Sequence, residues 1–349
     1  MAYTTIDDPS AYFQTVLWTG NGSARSITLD GNSDMQPDWI WLKRRNSARN
    51  HALLDSVRGG TKQLISNSTA AEGTDAQLIT SFDSDGFSLG TSNDCNSSGD
   101  TFVGWNWLAG GTASSNTDGS ITSSVSANTT AGFSIVSWTG NGSNGATIGH
   151  GLGVTPAIVI TKRRSAVGDW LVGGSLIDTV RGGANSLLLL NTTAAMDSNS
   201  EVYQTFSSTT FQVGVNAYTN TNNATMISYC FAEKKGYSKF GSYTGNGNAD
   251  GTFVYTGFKP AFTIIKRTDT TNDWMVGDNK INPFNVTDNM LRANLNNVQQ
   301  SGNYVDYLSN GFKPRLSGNA FNGSGGTYIY MAFAENPFVT STGVPATAR

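Results

Sequence analysis

The sequence predicts an all-β protein built from three tandem antiparallel β-sandwich modules of jelly-roll type. One segment is written three times: Trp18-Thr19-Gly20-Asn21-Gly22 returns as Trp138-Thr139-Gly140-Asn141-Gly142 and as Tyr243-Thr244-Gly245-Asn246-Gly247. Each copy then runs through a proline and an apolar stretch into a basic cluster: Pro37 to Lys43-Arg44-Arg45, Pro156 to Lys162-Arg163-Arg164, and Pro260 to Lys266-Arg267. The last apolar segment of each copy alternates with period two, and no stretch of roughly 12 residues carries a helical period. Repetition also supplies an internal alignment: a residue the fold needs returns in every copy, whereas one with unique chemistry need not.

Residues 1–15 precede the first copy and are expected to form an arm, in which Asp7, Asp8, Tyr12 and Phe13 dock to a partner or simply pack loosely. Modules follow at 16–109, 133–236 and 237–338, and about a hundred residues apiece suffice for a sandwich-sized core. Gly110-Gly111-Thr112-Ala113-Ser114-Ser115-Asn116-Thr117-Asp118-Gly119 has linker composition, so 110–132 is expected to connect modules 1 and 2. The junction at Lys234-Lys235-Gly236-Tyr237-Ser238 is short, which predicts that copies two and three pack as one body. Residues 339–349 are polar and read as a flexible tail or a strand donated to a neighbour.

Inside a copy, Asn-Gly suits a tight turn that joins the first two strands as a hairpin. A second turn is expected at Asp83-Ser84-Asp85-Gly86-Phe87, matched by Ser207-Ser208-Thr209-Thr210-Phe211 and Leu308-Ser309-Asn310-Gly311-Phe312. Val103, Trp105 and Trp107 alternate with Gly104 and Asn106, as do Ile227, Tyr229, Phe231 and Ile329, Met331, Phe333 with their smaller neighbours. That pattern predicts a half-buried strand.

Composition narrows the function. Charged residues are 13% of the 349, about half the usual ~25%, and 22 basic residues against 25 acidic ones create no field that would draw nucleic acid or an anionic membrane. The N-terminus lacks the basic start and apolar run of a signal peptide, so a soluble product made in the cytoplasm is expected. Cys95 and Cys230 occupy unmatched places, which argues against a disulfide framework.

Candidate chemistry is weighed copy against copy. Asp83 and Asp85 could open a calcium loop, but copies two and three carry Ser207 and Thr209, then no carboxylate, which favours a plain turn. Trp39 and Trp41 could stack on a sugar, yet their counterparts Ile158 and Ile160, Phe262 and Ile264 demand only bulk, which favours core packing. Trp18, Trp138 and Tyr243 stay aromatic and could pack beneath the Asn-Gly turn or present a ring to a partner, with packing the favoured reading. The basic clusters at 43–45 and 162–164 could hold an anion or contact protein, although such runs are more often solvated strand ends. Asp55-Ser56-Val57-Arg58-Gly59-Gly60 returns as Asp178-Thr179-Val180-Arg181-Gly182-Gly183, where Asp and Arg are expected to brace a bend through a charge-assisted bond. His51 has no histidine counterpart, His150 sits between glycines, and no G-x-S-x-G, P-loop, H-E-x-x-H or C-x-x-C occurs. The expectation is a protein that is not an enzyme, with no cofactor and no metal.

At the level of Asn116 to Asn128, Phe240-Gly241-Ser242-Tyr243-Thr244-Gly245-Asn246-Gly247 and Phe333-Ala334-Glu335-Asn336-Pro337-Phe338, the chain resembles repeat-bearing virion structural proteins of tailed, often marine, bacteriophages. The resemblance implies a non-enzymatic component of the particle, as capsid decoration, head fibre, tail fibre or knob, contacting other virion proteins and forming a homo-oligomer, a trimer above all. It offers no catalytic residues. The alternative is a carbohydrate- or receptor-binding module at a fibre tip that mediates host attachment, for which Tyr218, Asn220, Asn222 and Asn223 are the candidate glycan contacts.

Overall fold

The computed structural model describes residues 3–346, and they are all-β with several antiparallel sheets. Each of the three repeats lays down a main sheet in the same order, opening strand, closing strand, inner strand, outer strand. In repeat 1 these are Phe13–Thr19, Thr101–Trp107, Trp39–Arg44 and Ala52–Asp55; in repeat 2, Phe133–Thr139, Thr225–Phe231, Ile158–Arg163 and Trp170–Gly173; in repeat 3, Ser238–Thr244, Thr327–Pro337, Phe258–Arg267 and Trp274–Asp278. The register repeats as well, with Trp18 opposite Phe102, Trp138 opposite Met226 and Tyr243 opposite Tyr328.

The second predicted turn is a hairpin in all three repeats, joining Ile79–Asp83 to Gly86–Leu89, Tyr203–Phe206 to Thr210–Val213, and Gln300–Leu308 to Gly311–Pro314. The Asn-Gly hairpin is not formed. The opening strand pairs with the closing strand, whereas the strand after Asn-Gly, Arg25–Thr28 in repeat 1, pairs in a different sheet with Gly86–Leu89. Only the glycine of the pair has positive φ, 72° at Gly22, so the turn lacks the two left-handed residues a tight hairpin needs.

The alternating strands are buried on both faces, not one. On one face Val103, Trp105 and Trp107 meet Ile227, Tyr229 and Phe231 and Ile329, Met331 and Phe333 in a single cluster that draws on all three repeats. On the other face each repeat has its own cluster, closed by its second set of strands: Trp18, Ile40 and Phe87 in repeat 1, Trp138, Val159 and Phe211 in repeat 2, Tyr243, Ile265 and Phe312 in repeat 3. The small and polar residues of the alternation are what make double burial feasible. Gly104 lies so near the Trp18 ring that a Cβ would stand 3.2 Å from it. Asn106 Nδ2 donates to the Gln14 carbonyl, and the Ser228 and Thr161 hydroxyls bond at 2.6 Å, so these donors stay paired on burial, while Asn106 Oδ1 has no partner among the described residues.

Rings cross every seam of the shared cluster: Trp39 on Tyr229 at 4.3 Å between centroids, Phe13 on Phe333 at 5.3 Å, Phe231 on Phe333 at 5.9 Å. Pairs of this kind contribute about 0.5–1.5 kcal/mol each beyond the area they bury.

The expected linker is not free chain. Ser114–Asn116 and Ser123–Asn128 form strands that extend the main sheet of repeat 2 past its opening strand. The expected arm also differs. The first strand begins at Phe13, and residues before it run onto repeat 3 and the segments flanking it: Tyr3 Oη donates to the Gly257 carbonyl, Thr4 Oγ1 donates to the Lys235 carbonyl, and Asp7 accepts the Ser341 N–H at 2.6 Å. This seals the first repeat to the last.

Candidate functional site at the seams between repeats

The polar residues singled out by repetition converge at three equivalent seams. Lys43, Lys162 and Lys266 stand one residue before the ends of their inner strands and are buried. Each Nζ reaches a backbone carbonyl of a neighbouring repeat, in cyclic order: Lys43 to Asn296 at 3.3 Å, Lys162 to Thr69 at 2.9 Å, Lys266 to Thr193 at 3.0 Å. The same three carbonyls accept the backbone N–H of Arg49, Gly168 and Asn272. The lysines are therefore internal clasps, and burial pushes each ammonium down to about 8. The anion-binding expectation for the basic clusters loses its lysines on this count.

A second ring of contacts lies one hydrogen bond away. Opposite Lys162 and Lys266 stand Trp170 and Trp274, whose Nε1 donate across the seams to the carbonyls of Ile65 and Leu189 at 2.8 and 2.9 Å. In repeat 1 the place is taken by His51, with Nε2 at 2.9 Å from the Arg292 carbonyl. Asn67, Asn191 and Asn294 hold the three from behind, each accepting the backbone N–H of its His or Trp.

The seams differ at one register position. Asp55 faces Trp39 and Asp278 faces Phe262, while the same step in repeat 2 falls at Gly174. Asp55 accepts from Arg58 Nε at 2.6 Å and from Tyr229 Oη of repeat 2 at 2.7 Å, and Glu72 accepts from both Arg58 and Arg164. Asp278 accepts from Thr15 Oγ1 and Trp105 Nε1 of repeat 1 at 2.6 and 3.0 Å, and burial raises its carboxyl. The Asp-Arg brace expected in both copies is thus real only in repeat 1. In repeat 2 the matching letters form a helix, Ser175–Arg181, ended by left-handed Gly182, and Arg181 points outward to Met196 and Ser198.

The predicted contact residues are scattered. The Phe13 ring is buried in the shared cluster and the Tyr12 ring leans on Tyr237 at its edge, so both side chains serve packing. Asp8 caps the short turn Pro9–Ala11, and Asp7 holds Ser341. Asn220 is fully buried: its Oδ1 accepts the Asn141 N–H and its Nδ2 donates to the carbonyls of Ser143 and Gly214. Asn96 and Asn322 do the same for Asn21 and Asn246. As a glycan contact Asn220 is corrected to a turn anchor. Tyr218 is half-buried under Arg163, and only Asn222 and Asn223 lie exposed. Trp39, Trp41, Trp18, Trp138 and Tyr243 are core, as expected. Asp83 accepts from Ser81 and Ser88 across its own hairpin.

A cleft of about 270 Å³ opens between repeats 1 and 3, lined by Phe13–Thr15, Asp30–Asn32, Asn279–Lys280 and Ala334–Asn336. Its charges are closed on one another or on neighbours: Lys280 bonds Asp30, and Glu335 pairs with Lys259.

A family profile described as a domain of unknown function (DUF7483) matches residues 8–337. The chain belongs to the DUF7483 family. Comparison with curated proteins found no match, and neither did comparison with solved structures. The DUF7483 match runs from Asp8, beside the cap of the first turn, to Pro337 at the end of the last closing strand. The family unit is therefore the set of three repeats, not one repeat.

Within this DUF7483 chain both histidines and both cysteines are buried. His51 Nδ1 accepts from Trp41 Nε1 at 2.8 Å, which leaves Nε2 as the protonated donor to Arg292, and burial holds the ring neutral down to about 3. Burial likewise pushes the Cys95 thiol up to about 12 and raises that of Cys230. Sequence reasoning missed the lysine clasps and the three anchoring asparagines. A signal for the latter exists: Asn96, Asn220 and Asn322 stand at one fixed distance before their closing strands.

Proposed function

We propose that the protein is a non-enzymatic structural component of a tailed-phage virion, a capsid decoration, head-fibre or tail-associated fibre or knob protein. In this proposal the three repeats are antiparallel β-sandwich modules of jelly-roll type, and the chain acts through contacts with other virion proteins and with further copies of itself. The observation that carries the proposal is the use made of the recurring polar residues. Lysines, the His51 and tryptophan donors and the buried aspartates are spent on holding three repeats together, which leaves a weakly charged Asn/Ser/Thr surface suited to attachment. The sequence likeness to virion structural proteins points the same way. Mass spectrometry of purified particles tests it: the chain is expected at a fixed copy number per particle. Its loss during particle purification, while capsid and tail proteins are retained, would overturn the proposal.

Host attachment through a glycan is the second reading, supported by the exposed Asn222 and Asn223 beside Tyr218. Competable binding on a glycan array that is lost in Asn222→Ala with Asn223→Ala supports it; an array without signal dismisses it.

A further inference from the structure

The three opening strands are equivalent in register but not in company. In repeat 2 the Gly140 N–H bonds the Ala224 carbonyl and the Ala232 N–H bonds the Gly132 carbonyl, which fixes even-numbered residues as those facing the closing strand. Odd-numbered Phe133, Ile135 and Ser137 face outward and are met by Asn128, Ser126 and Ser124 of an added strand. In repeat 1 the bonds from Gly20 to Asp100 and from Leu108 to Tyr12 set the same parity. Phe13, Thr15 and Leu17 then face outward, and among the described residues no strand lies beside them, because Phe13–Thr19 is the edge of its sheet. The chain ahead of this edge cannot fold back as Ser123–Asn128 does: it is turned away by the capped turn Pro9–Ala11 and runs to repeat 3, where Tyr3 meets Gly257.

The cleft between repeats 1 and 3 lies along this free edge, with Phe13–Thr15 among its lining. We propose that it is a strand-acceptor slot, which takes an extended, uncharged Ser/Thr/Ala-rich segment of another polypeptide antiparallel to Phe13–Thr19. Two observations select that occupant. The chain itself fills the equivalent edge of repeat 2 with Ser123-Ser124-Val125-Ser126-Ala127-Asn128, an uncharged strand of small residues. The cleft's own ions are already paired, so an incoming charge would find no partner there. Main-chain bonds to the edge would supply affinity, and the narrow walls would select small side chains. The inference rests on the view that the protein works through protein contacts, and it does not depend on a virion setting.

The probe is a synthetic peptide of the chain's own residues 120–130, SITSSVSANTT, added to the full chain and followed by amide hydrogen exchange and fluorescence anisotropy. Saturable binding is expected, with new protection at the Thr15 and Leu17 amides. Leu17→Pro removes one outward N–H without touching the ladder to the closing strand and is expected to weaken binding about tenfold, the worth of one hydrogen bond. Asn32→Trp, on an exposed residue at the cleft, is expected to block the peptide while leaving thermal stability unchanged. Absence of binding, or binding that protects other amides and ignores Asn32→Trp, overturns the slot. Because the assay uses isolated protein, its failure is distinct from absence of the chain from particles.

Discussion

His51 and Trp170 occupy the same structural position in different repeats, and each donates a ring N–H across a seam, to Arg292 and Ile65 respectively, at 2.9 and 2.8 Å. A histidine alone in its repeat series thus does a tryptophan's work. It does so as a neutral ring, because Trp41 fills its other nitrogen.

The pH dependence follows. Folded His51 stays neutral down to about 3, against 6.5 for a free ring, so below about 6.5 the unfolded chain takes up a proton the folded chain refuses. Stability contributed by this site is full above pH 6.5 and falls as pH drops toward 3, by a few kcal/mol at most. Urea titrations from pH 7 to pH 4 should show this loss. His51→Trp with Trp41→Ile, the pairing used in repeats 2 and 3, should flatten it, whereas His51→Trp alone should destabilise by crowding Trp41 and removing its acceptor.

The lysine clasps act in the opposite pH range. Between about 8 and 10.5 the unfolded chain still holds protons that Lys43, Lys162 and Lys266 have lost in the fold, so these groups make stability rise with pH across that window. Lys162→Met should remove its share of the slope and cost about 1–3 kcal/mol for the ammonium bonds lost at the Thr69 and Gly168 carbonyls, as read by denaturant unfolding.

Arg58 and Arg181 share a sequence motif but not an environment. Arg58→Met leaves Asp55 buried with one partner fewer and should destabilise by roughly 3–5 kcal/mol. Arg181→Met, at the exposed end of its helix, should fall within about 0.5 kcal/mol of wild type. Equal effects in thermal unfolding would contradict the assignment of the brace to repeat 1 alone.

Asn220 separates anchor from surface. Asn220→Ala removes bonds to Asn141, Ser143 and Gly214 and should cost about 2–3 kcal/mol by calorimetry, while Asn222→Ala should be near neutral.

Much of this was legible in the sequence and some was not, for physical reasons. Period two in Val103, Trp105 and Trp107 marks a strand but is silent on what the other face meets. Gly104, Asn106 and Ser228 look solvent-facing as letters, yet they are buried because smallness admits a ring and the Asn106 Nδ2 and Ser228 hydroxyl find partners inside. Asn-Gly correctly signalled a turn at Asn21, but whether a turn makes a hairpin or changes sheets depends on Asn96, distant in sequence. Lys43-Arg44-Arg45 reads as solvated charge because the carbonyl it serves, Asn296, belongs to another repeat. The equivalence of His51 with Trp170 is hidden by the difference in side chain and emerges only from strand register.

The most direct test is scanning calorimetry of the intact chain. One shared aromatic cluster and three cyclic clasps predict a single cooperative transition in which the calorimetric and van't Hoff enthalpies agree. Two or three resolved transitions, each of one repeat's size, would show that the repeats stand alone and would contradict a common core.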